Sequence, residues 1–371
     1  MDKLKIAIMG TRGIPNFHGG FEQFAEFFSV YMADKGHEVY VYNSHNHPYK
    51  KPRFKNVNII HCNDPEQNIG TVGQFIYDFN CILDSRKREY DIILQLGYTS
   101  SSVWAFLFPK KSLIVTNMDG LEWKRSKYNK GVQKFLKYAE KLAVNNSHFL
   151  ISDSIGIQDY IKNKYHKNSE YIPYGAEIFN SPDIALSEEF GLEAYNYNML
   201  IARLEPENNI ETILAGVTAS SSTHPTLVIG KHNTSYGNFL KKKFKRDKRV
   251  RFLGGIYDLN KLNNLRYFSN IYFHGHSVGG TNPSLLEAMS SHALIVANDN
   301  VFNRSILGND AFYFKNRNDI IRNLEKNKTD YINFTINNKN KIVDYYSWDK
   351  INHKYETFLK DAYFKKKTEY R

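Results

Sequence analysis

Two glycine-rich stretches hold most of the residues in this chain that could do chemistry. The first is Gly10-Thr11-Arg12-Gly13-Ile14-Pro15-Asn16-Phe17-His18-Gly19-Gly20, between the apolar run Lys5–Met9 and a helical pattern starting at Phe21. Glycines at a helix N-terminus let backbone N–H groups approach an anion closely, and the helix dipole favours the negative charge. The loop therefore reads as one that closes over a diphosphate, or as a flexible turn, which glycine also marks. It lacks the Gly-Lys-Ser/Thr of a Walker loop and is no clean G-x-G-x-x-G. The second stretch runs from Phe273-His274-Gly275-His276-Ser277-Val278-Gly279-Gly280 through Thr281-Asn282-Pro283-Ser284-Leu285-Leu286-Glu287-Ala288-Met289. Here a strand ends, a loop follows, and Asn282-Pro283 supplies the N-cap and first-turn proline of a new helix. Glu287 falls about one turn into that helix. A carboxylate there can accept two hydroxyl hydrogen bonds from a vicinal diol such as ribose while loop amides hold phosphate, or it can simply complement the helix dipole.

These loops need strands and helices to hold them. Lys5–Met9 reads as a buried strand, and Phe21, Phe24, Ala25, Phe28, Tyr31 and Met32 form one face of a helix closed by Gly36. Val39–Tyr42, Val57–His61, Asp91–Leu96, Leu113–Asn117 and Phe149–Ser152 are further strand candidates, with a helix over Lys130–Val144. The rhythm falters between Ile172 and Tyr197, then restarts with Asn198–Ala202, Thr226–Gly230, Arg251–Leu253, Ile271–Phe273, Leu294–Asn298 and Phe312–Phe314. Alternating strand and helix predicts parallel sheets wrapped by helices, with ligands at the carboxyl ends of the strands. The tail Tyr345–Lys367 is helical in pattern.

With 371 residues, 42% hydrophobic and 24% charged, the chain has ordinary globular composition and room for two domains, which excludes a disordered or fibrous protein. No apolar stretch approaches the ~18–20 residues a bilayer span requires, and the apolar run near Met1 is too short for a signal peptide. Two cysteines, Cys62 and Cys81, offer neither a disulfide framework nor metal-ligand spacing, as suits a reducing cytoplasm. The net charge of +12 points to anionic partners: nucleic acid, a membrane surface or phosphorylated small molecules. The basic stretch Trp123–Lys130 leads into a helix with Lys134, Lys137 and Lys141 beside Phe135 and Tyr138. That face is either solvated or set to dock on an anionic bilayer at the inner side of the plasma membrane.

Several motifs in order resemble those of family-4 retaining, nucleotide-sugar-dependent glycosyltransferases. Asn282–Met289 resembles the second half of their E-x7-E motif, and Ile201-Ala202-Arg203-Leu204-Glu205-Pro206-Glu207 resembles their G-R-L-x-x-E-K-G segment. Arg251-Phe252-Leu253-Gly254-Gly255 resembles their V-x-F-L-G turn, Ile172-Pro173-Tyr174-Gly175 their I-P-N-G, and Ser347-Trp348-Asp349 the start of their last helix. The N-terminal half, with Gly-Thr-Arg-Gly-Ile-Pro and Asn117-Met118-Asp119-Gly120, resembles the branch of bacterial surface-polysaccharide rhamnosyltransferases. The resemblance implies an α/β chain of the GT-B fold, with two Rossmann-like domains facing across a cleft. Residues 1–180 would form the acceptor side, 181–345 the nucleotide-sugar side, and 346–371 a helix returning to the first domain. It implies that Arg203 meets the donor diphosphate and acts catalytically, that Glu287 binds ribose, and that Gly280, Thr281 and Asn282 meet phosphate. Gly19 and Gly20 would face the phosphates, and Gly254 with Ile256 would read the base. No metal or other cofactor is expected, because such enzymes neutralise the leaving diphosphate with cations and helix N-termini.

Three departures from the pattern stand out. The first glutamate of E-x7-E falls at Gly279, the expected lysine is Asn208, and the histidine before Asp119 is Met118. Lys231 is the candidate to replace the lost cation, and a donor without a 6-hydroxyl, such as rhamnose, would explain the missing glutamate. Asp119, just after a strand, is the acidic candidate for catalysis and acceptor contact, with His18 as a second acceptor residue. His274 and His276 read as positioning rather than basic groups, since no partner carboxylate is identifiable. The expected activity is transfer of a sugar, L-rhamnose from dTDP-rhamnose, to a saccharide or polyprenyl-diphosphate-linked acceptor in surface-polysaccharide synthesis. A sugar-nucleotide epimerase and a basic nucleic-acid-binding protein are the alternatives, the latter disfavoured because base readers need no diol-binding carboxylate.

Overall fold

The computed structural model describes residues 3–125 and 128–369. Ser126 and Lys127 of the basic stretch lie outside the described residues. The chain divides into one unit of Met1–Trp123, Lys130–Tyr174 and Trp348–Arg371, and a second of Lys124–Asn129 and Gly175–Ser347.

In the first unit the chain runs β1 (Lys5–Met9), α1 (Gly20–Asp34), β2 (Glu38–Ser44), β3 (Arg53–Phe54), β4 (Val57–Cys62), α2 (Glu66–Ile69) and α3 (Val72–Ser85). It continues with β5 (Ile92–Leu96), β6 (Leu113–Asn117), α4 (Lys130–Asn146), β7 (Phe149–Ser152), α5 (Ile155–Tyr165) and β8 (Glu170–Tyr171). The sheet order is β3-β4-β2-β1-β5-β6-β7-β8, parallel except where β3 meets β4. The central strands are largely apolar and buried along nearly their whole length because helices cover both faces. On one face, α1 turns Phe24 and Phe28 inward as a stacked pair, ring centroids 5.3 Å apart. On the other, Tyr42, Tyr77, Cys81, Tyr90 and Ile93 form the core under α3.

The second unit contains α6 (Ala185–Glu188), β9 (Asn198–Ile201), α7 (Ile210–Ala219), β10 (Thr226–Ile229), α8 (Ser235–Phe244), β11 (Val250–Gly254), α9 (Leu259–Phe268) and β12 (Ile271–His274). It closes with α10 (Pro283–Ser290), β13 (Ile295–Asn298), α11 (Val301–Leu307), β14 (Phe312–Phe314), α12 (Arg317–Asn323) and α13 (Ile332–Lys341). The order is β11-β10-β9-β12-β13-β14, all parallel. Side-chain caps start its helices: Thr234 for α8, Asp258 for α9, Asn300 for α11, and a full capping box at Asn316 for α12. Leu200, Val228, Phe273, Val296 and Phe314 from the strands pack with Ile213, Leu214 and Ile320 from the helices.

The chain leaves the first unit after Tyr174, a few residues ahead of the expected position near 180. The reason is packing: Tyr174 is buried against the rings of Phe21 and Phe24, 6.3 and 6.5 Å away. The last helix, α14 (Trp348–Glu369), belongs to the first unit, where Trp348 stacks on Phe27 at 4.6 Å and Tyr355 meets Phe24 at 4.5 Å. Two short strands, β3 and β8, carry too few residues to show a period and were not legible in the sequence.

Two buried charges stand out. Glu140 of α4 is 2% exposed and accepts hydrogen bonds from Trp123 Nε1 (3.2 Å), Tyr160 Oη (2.7 Å), Lys164 Nζ (2.8 Å) and Tyr165 Oη (2.6 Å). Lys328 in the second unit is 3% exposed, with its ammonium about equidistant from the Tyr195 and Tyr267 rings at 5.2 and 5.1 Å. Burial pushes Lys328 down to about 7 from an ordinary value of 10.5. The unfolded chain then holds a proton that the folded chain lacks throughout that window, so stability should rise from about pH 7 toward pH 10.5. Denaturant unfolding against pH should show this rise, and Lys328→Met should abolish it; an unchanged slope in the variant would refute the assignment.

Candidate active site

In the second sheet the strand order reverses between β9 and β12, the place where an open parallel sheet leaves a crevice at its carboxyl edge. Reading along that edge, β11 delivers Gly254 and Ile256, β10 delivers Lys231, β9 delivers Arg203, and β12 delivers the loop from Gly275 to Asn282. The expected donor residues thus stand on neighbouring strand ends although up to about eighty positions separate them in the chain.

Backbone contacts tie these loops together. Gly230 N–H donates to Gly254 O at 2.8 Å, joining the β10 and β11 loops. Asn209, in the left-handed region at φ 50°, sends Nδ2 to Gly275 O at 2.8 Å, and Ser277 Oγ donates to Glu207 O at 2.7 Å. Gly275 is required here, since a Cβ would sit 2.0 Å from Asn208 O. From the other side, Asn300 and Asn303 of α11 donate to His276 O at 3.0 and 3.1 Å. The loop between β12 and α10 is therefore clamped by both neighbours, and Asn282 closes it by accepting Ser284 N–H at 3.0 Å.

Arg203 is exposed at the end of β9, while Lys231 is exposed with Nζ 5.8 Å from the Tyr257 ring centroid. Gly279 adopts φ +126°, a conformation L side chains rarely take, so a glutamate at this point would be strained. Asn208 is buried and its Nδ2 donates to Arg203 O at 2.7 Å, so this residue shapes the turn that presents the arginine.

Glu287 does not stand alone. Its Oε2 accepts from Nη2 of Arg266 at 2.5 Å, and Arg266 is fully buried. Arg266 Nη1 donates to Asn263 Oδ1 at 2.8 Å, and its guanidinium lies 6.0 Å from the Tyr272 ring centroid. A buried guanidinium fixes the orientation of an adjacent carboxylate. Sequence spacing gives no hint of this pair, because Arg266 sits on α9, one strand and one loop earlier.

His274 and His276 stack at 4.5 Å between ring centroids, 17° from parallel. Burial first, and the neighbouring His276 second, hold the His274 imidazole well below its ordinary range. Burial and the Arg203 guanidinium push His276 down to about 3. Both rings are therefore neutral near pH 7, which fits hydrogen bonding and not proton donation.

The first sheet reverses between β1 and β5. The glycine-rich loop after β1 is held by Asn43, which accepts Ile14 N–H at 3.1 Å and donates to Ile14 O at 2.8 Å. Arg12 pairs with Asp64 and Glu66, and its N–H donates to Glu22 Oε1 at 2.8 Å. Asn16 Oδ1 accepts the His18 and Gly19 amides at 2.9 and 3.2 Å. The Gly19 amide is thus engaged, and Glu22 places a carboxylate in the first turn of α1, features the glycine pattern did not disclose. His18 is exposed, 6.3 Å from His47 between ring centroids.

Asp119 follows β6 at φ 48°, in the left-handed region that aspartate tolerates, with its N–H on Asn117 Oδ1 at 3.0 Å. Asn117 Nδ2 in turn donates to Tyr355 Oη of α14 at 2.9 Å. Burial, then Asp119, then Asp153 raise the Tyr174 hydroxyl well above its ordinary range, which places both carboxylates near that phenol. Asp153, 1% exposed at the end of β7, was missed because a lone aspartate between serines reads as a turn. The structure thus groups Arg203, Lys231, Gly254, Ile256, Gly280, Thr281, Asn282 and Glu287 on the second unit, and His18, Gly19, Gly20 and Asp119 on the first. Among the described residues, no three or more His, Cys, Asp or Glu side chains are arranged to hold a metal ion.

A family model described as a domain of unknown function, DUF1972, matches residues 3–177. No curated protein matches the sequence. Among solved structures, sucrose-phosphate synthase from Thermosynechococcus elongatus is similar at 16% identity and a TM-score of 0.80, with 97% of this chain and 99% of that chain covered. The Anabaena protein HepE in complex with UDP is similar at 16% identity and a TM-score of 0.73, covering 96% and 100%. A glycosyltransferase from Rickettsia africae gives 12% identity and a TM-score of 0.67, covering 98% and 99%. These likenesses span both units, and the chain has the GT-B fold.

The role of Asn208 is open to a direct test. Placing a lysine there removes the amide bond to Arg203 O and forces an ammonium into a buried turn. At about 1–3 kcal/mol for such a loss, Asn208→Lys should lower the melting temperature by roughly 2–10 °C. An unchanged melting curve would show that Asn208 does not shape the turn.

Proposed function

We propose that this chain is a retaining glycosyltransferase that takes L-rhamnose from dTDP-rhamnose and passes it to a saccharide acceptor carried on a polyprenyl diphosphate. One observation carries the reading. The carboxyl edge of the second sheet lines up Gly254, Lys231, Arg203 and the Gly275–Asn282 loop, with Glu287 anchored behind them by a buried arginine. A base, a diphosphate and a ribose need contacts of these kinds in that sequence. The proteins of similar fold include HepE, solved with UDP-glucose, and a trehalose-6-phosphate protein from E. coli bound with UDP-2-fluoro glucose, which supports a sugar nucleotide as ligand.

In this reading Gly254 and Ile256 present backbone groups to the base, and Glu287 receives the 3′-hydroxyl of the donor's deoxyribose on an oxygen position Arg266 leaves available. Arg203, Lys231 and the amides of Gly280, Thr281 and Asn282 face the diphosphate. The acceptor hydroxyl attacks the sugar's anomeric carbon on the face from which the diphosphate departs. The bond from that carbon to the phosphate oxygen breaks, a bond to the acceptor oxygen forms, and the acceptor proton passes to the leaving oxygen. Arg203 and the loop amides stabilise the charge that grows on the diphosphate, so positioning and electrostatics supply the acceleration. His276, held neutral, orients a hydroxyl without competing for the proton, and the buried His274 ring stacked on it holds it in place. On the first unit, Asp119 and His18 take the acceptor, and Gly19 and Gly20 meet phosphate. The glycine-only backbone at Gly279 leaves open space where a carboxylate would otherwise reach a sugar 6-hydroxyl, which favours a 6-deoxy sugar.

Thermal melts across a panel of nucleotide sugars test the donor, since a ligand at about 100 Kd adds about 2.7 kcal/mol of stability. The expected result is the largest shift for dTDP-rhamnose. Arg203→Ala should then cut turnover at least about ten-fold, as loss of a charge-stabilising contact requires. Unchanged turnover removes its diphosphate role. Donor conversion without acceptor would favour an epimerase instead. Salt-sensitive nucleic-acid binding with no sugar-nucleotide shift would favour a nucleic-acid-binding protein.

A further inference from the structure

We propose that the outer face of the first unit formed by α3, the short helical segment Ser102–Leu107 and α4 docks on an anionic lipid bilayer. This deepens the lipid-linked acceptor reading above by naming the surface that would meet the lipid.

A surface helix ordinarily turns polar residues to water, and α3 does not. Its inner face buries Tyr77, Cys81 and Ile82, yet Val72, Ile76 and Leu83 follow one another along its outer face and are all exposed, Val72 by 63%. Next to it, Phe106 is 73% exposed on the segment Ser102–Leu107. On α4, Val132, Phe135 and Tyr138 are likewise exposed. These pieces form one surface. Phe75 of α3 meets Phe135 of α4 with ring centroids 5.7 Å apart. Trp104 Nε1 donates to Phe75 O at 2.9 Å, and its ring lies 4.9 Å from Phe79. Arg86 Nη1 donates to Leu107 O at 3.0 Å, fixing the segment to the end of α3.

The charge around this apolar surface is mainly positive, and Glu66, which Gln74 of α3 bonds, is paired with Arg12. Lys130, Lys134, Lys137 and Lys141 are exposed on α4, and the only acid on that helix, Glu140, is buried and committed to its own donors. Lys110 adds a further cation, while Lys111 stands 3.9 Å from Glu89. The acids of α3 are not available to oppose them: Asp78 is buried against Ser100, and Asp84 is paired with Arg88. Aliphatic and aromatic tips ringed by lysines suit the headgroup and upper acyl region of a bilayer, where the tips enter and the ammonium groups meet lipid phosphates. A second copy of the chain fits poorly, because a two-fold contact through this face would set lysine rows against each other. Nucleic acid fits poorly too, since valine, isoleucine and leucine offer bases no stacking partner.

The test is co-sedimentation of the full chain, without donor or acceptor, with phosphatidylcholine vesicles containing about 30% phosphatidylglycerol and with phosphatidylcholine alone. The chain should pellet with the anionic vesicles, and less so as salt rises. Lys134→Glu with Lys141→Glu should weaken that binding at least about ten-fold, and Ile76→Ser, Phe106→Ser and Phe135→Ser together should do the same. Both variants should keep the parent's melting temperature; the single change Phe106→Ser serves if the triple variant melts early. Failure to bind anionic vesicles, or binding that ignores both sets of changes, overturns the proposal. So does a dimer that dissociates on the triple change in a chain that never pellets with vesicles. Vesicle binding with no nucleotide-sugar shift leaves this proposal standing and sinks the transferase reading, and the reverse result does the opposite.

Discussion

In a parallel sheet every strand points the same way, so every strand hands its chain to a loop on one edge, and neighbouring loops start about 5 Å apart. The second unit depends on that constraint. Gly254, Lys231, Arg203 and the loop after His274 reach adjacent positions because β11, β10, β9 and β12 are adjacent, not because the residues are close in the chain. Where the order reverses, between β9 and β12, the connecting helices leave toward opposite faces and the loops are free to part. The structure uses that opening sparingly. Asn209 and Ser277 stitch the two loops to each other and Asn208 bonds back to Arg203 O, which leaves the arginine side chain exposed on a braced turn.

Beneath the loops lies a column of polar groups in an otherwise apolar unit. Arg266 and Glu287 form a pair whose guanidinium is shut away from water, and the Tyr272, His274 and His276 rings continue it toward Arg203. Burying a charge is unfavourable unless a partner compensates it, so removing either member of the pair would leave an uncompensated ion. The histidines avoid the same difficulty by staying neutral. The site therefore presents Arg203 and Lys231 outward and keeps its buried ionic character internally balanced.

Much of this was legible from residues alone. The apolar runs Lys5–Met9 and Leu113–Asn117 coincide with β1 and β6, and Asn282-Pro283 starts α10 as an N-cap and first-turn proline should. Strand order was not legible, and so neither was the row of loop ends it creates. Arg266 escaped notice because a basic residue inside an amphipathic helix pattern reads as surface, whereas here it is drawn inward by Glu287 and Asn263. Asn208 looked like a lost cation, since a substitution shows what is missing and not what its replacement holds. Gly279 looked like a lost carboxylate for the same reason, while its φ of +126° is a backbone conformation that glycine takes without strain. The glycines before α1 signalled close approach, but the side chains of Asn16, Glu22 and Asn43 that occupy the loop's amides lie outside any glycine pattern.

Glu140 has an implication for how this unit can drift. One carboxylate satisfies Trp123, Tyr160, Lys164 and Tyr165, residues drawn from a connecting turn and from α5. Exchange of the acid for a neutral residue would leave three polar hydrogens without their acceptor and unpair a solvated ammonium at once, whereas exchange of any single donor leaves the rest still supplied. The arrangement is therefore a ratchet: its periphery can be traded piecemeal, its hub only together with everything around it, and descendants of this chain should either keep the whole knot or have dissolved it entirely.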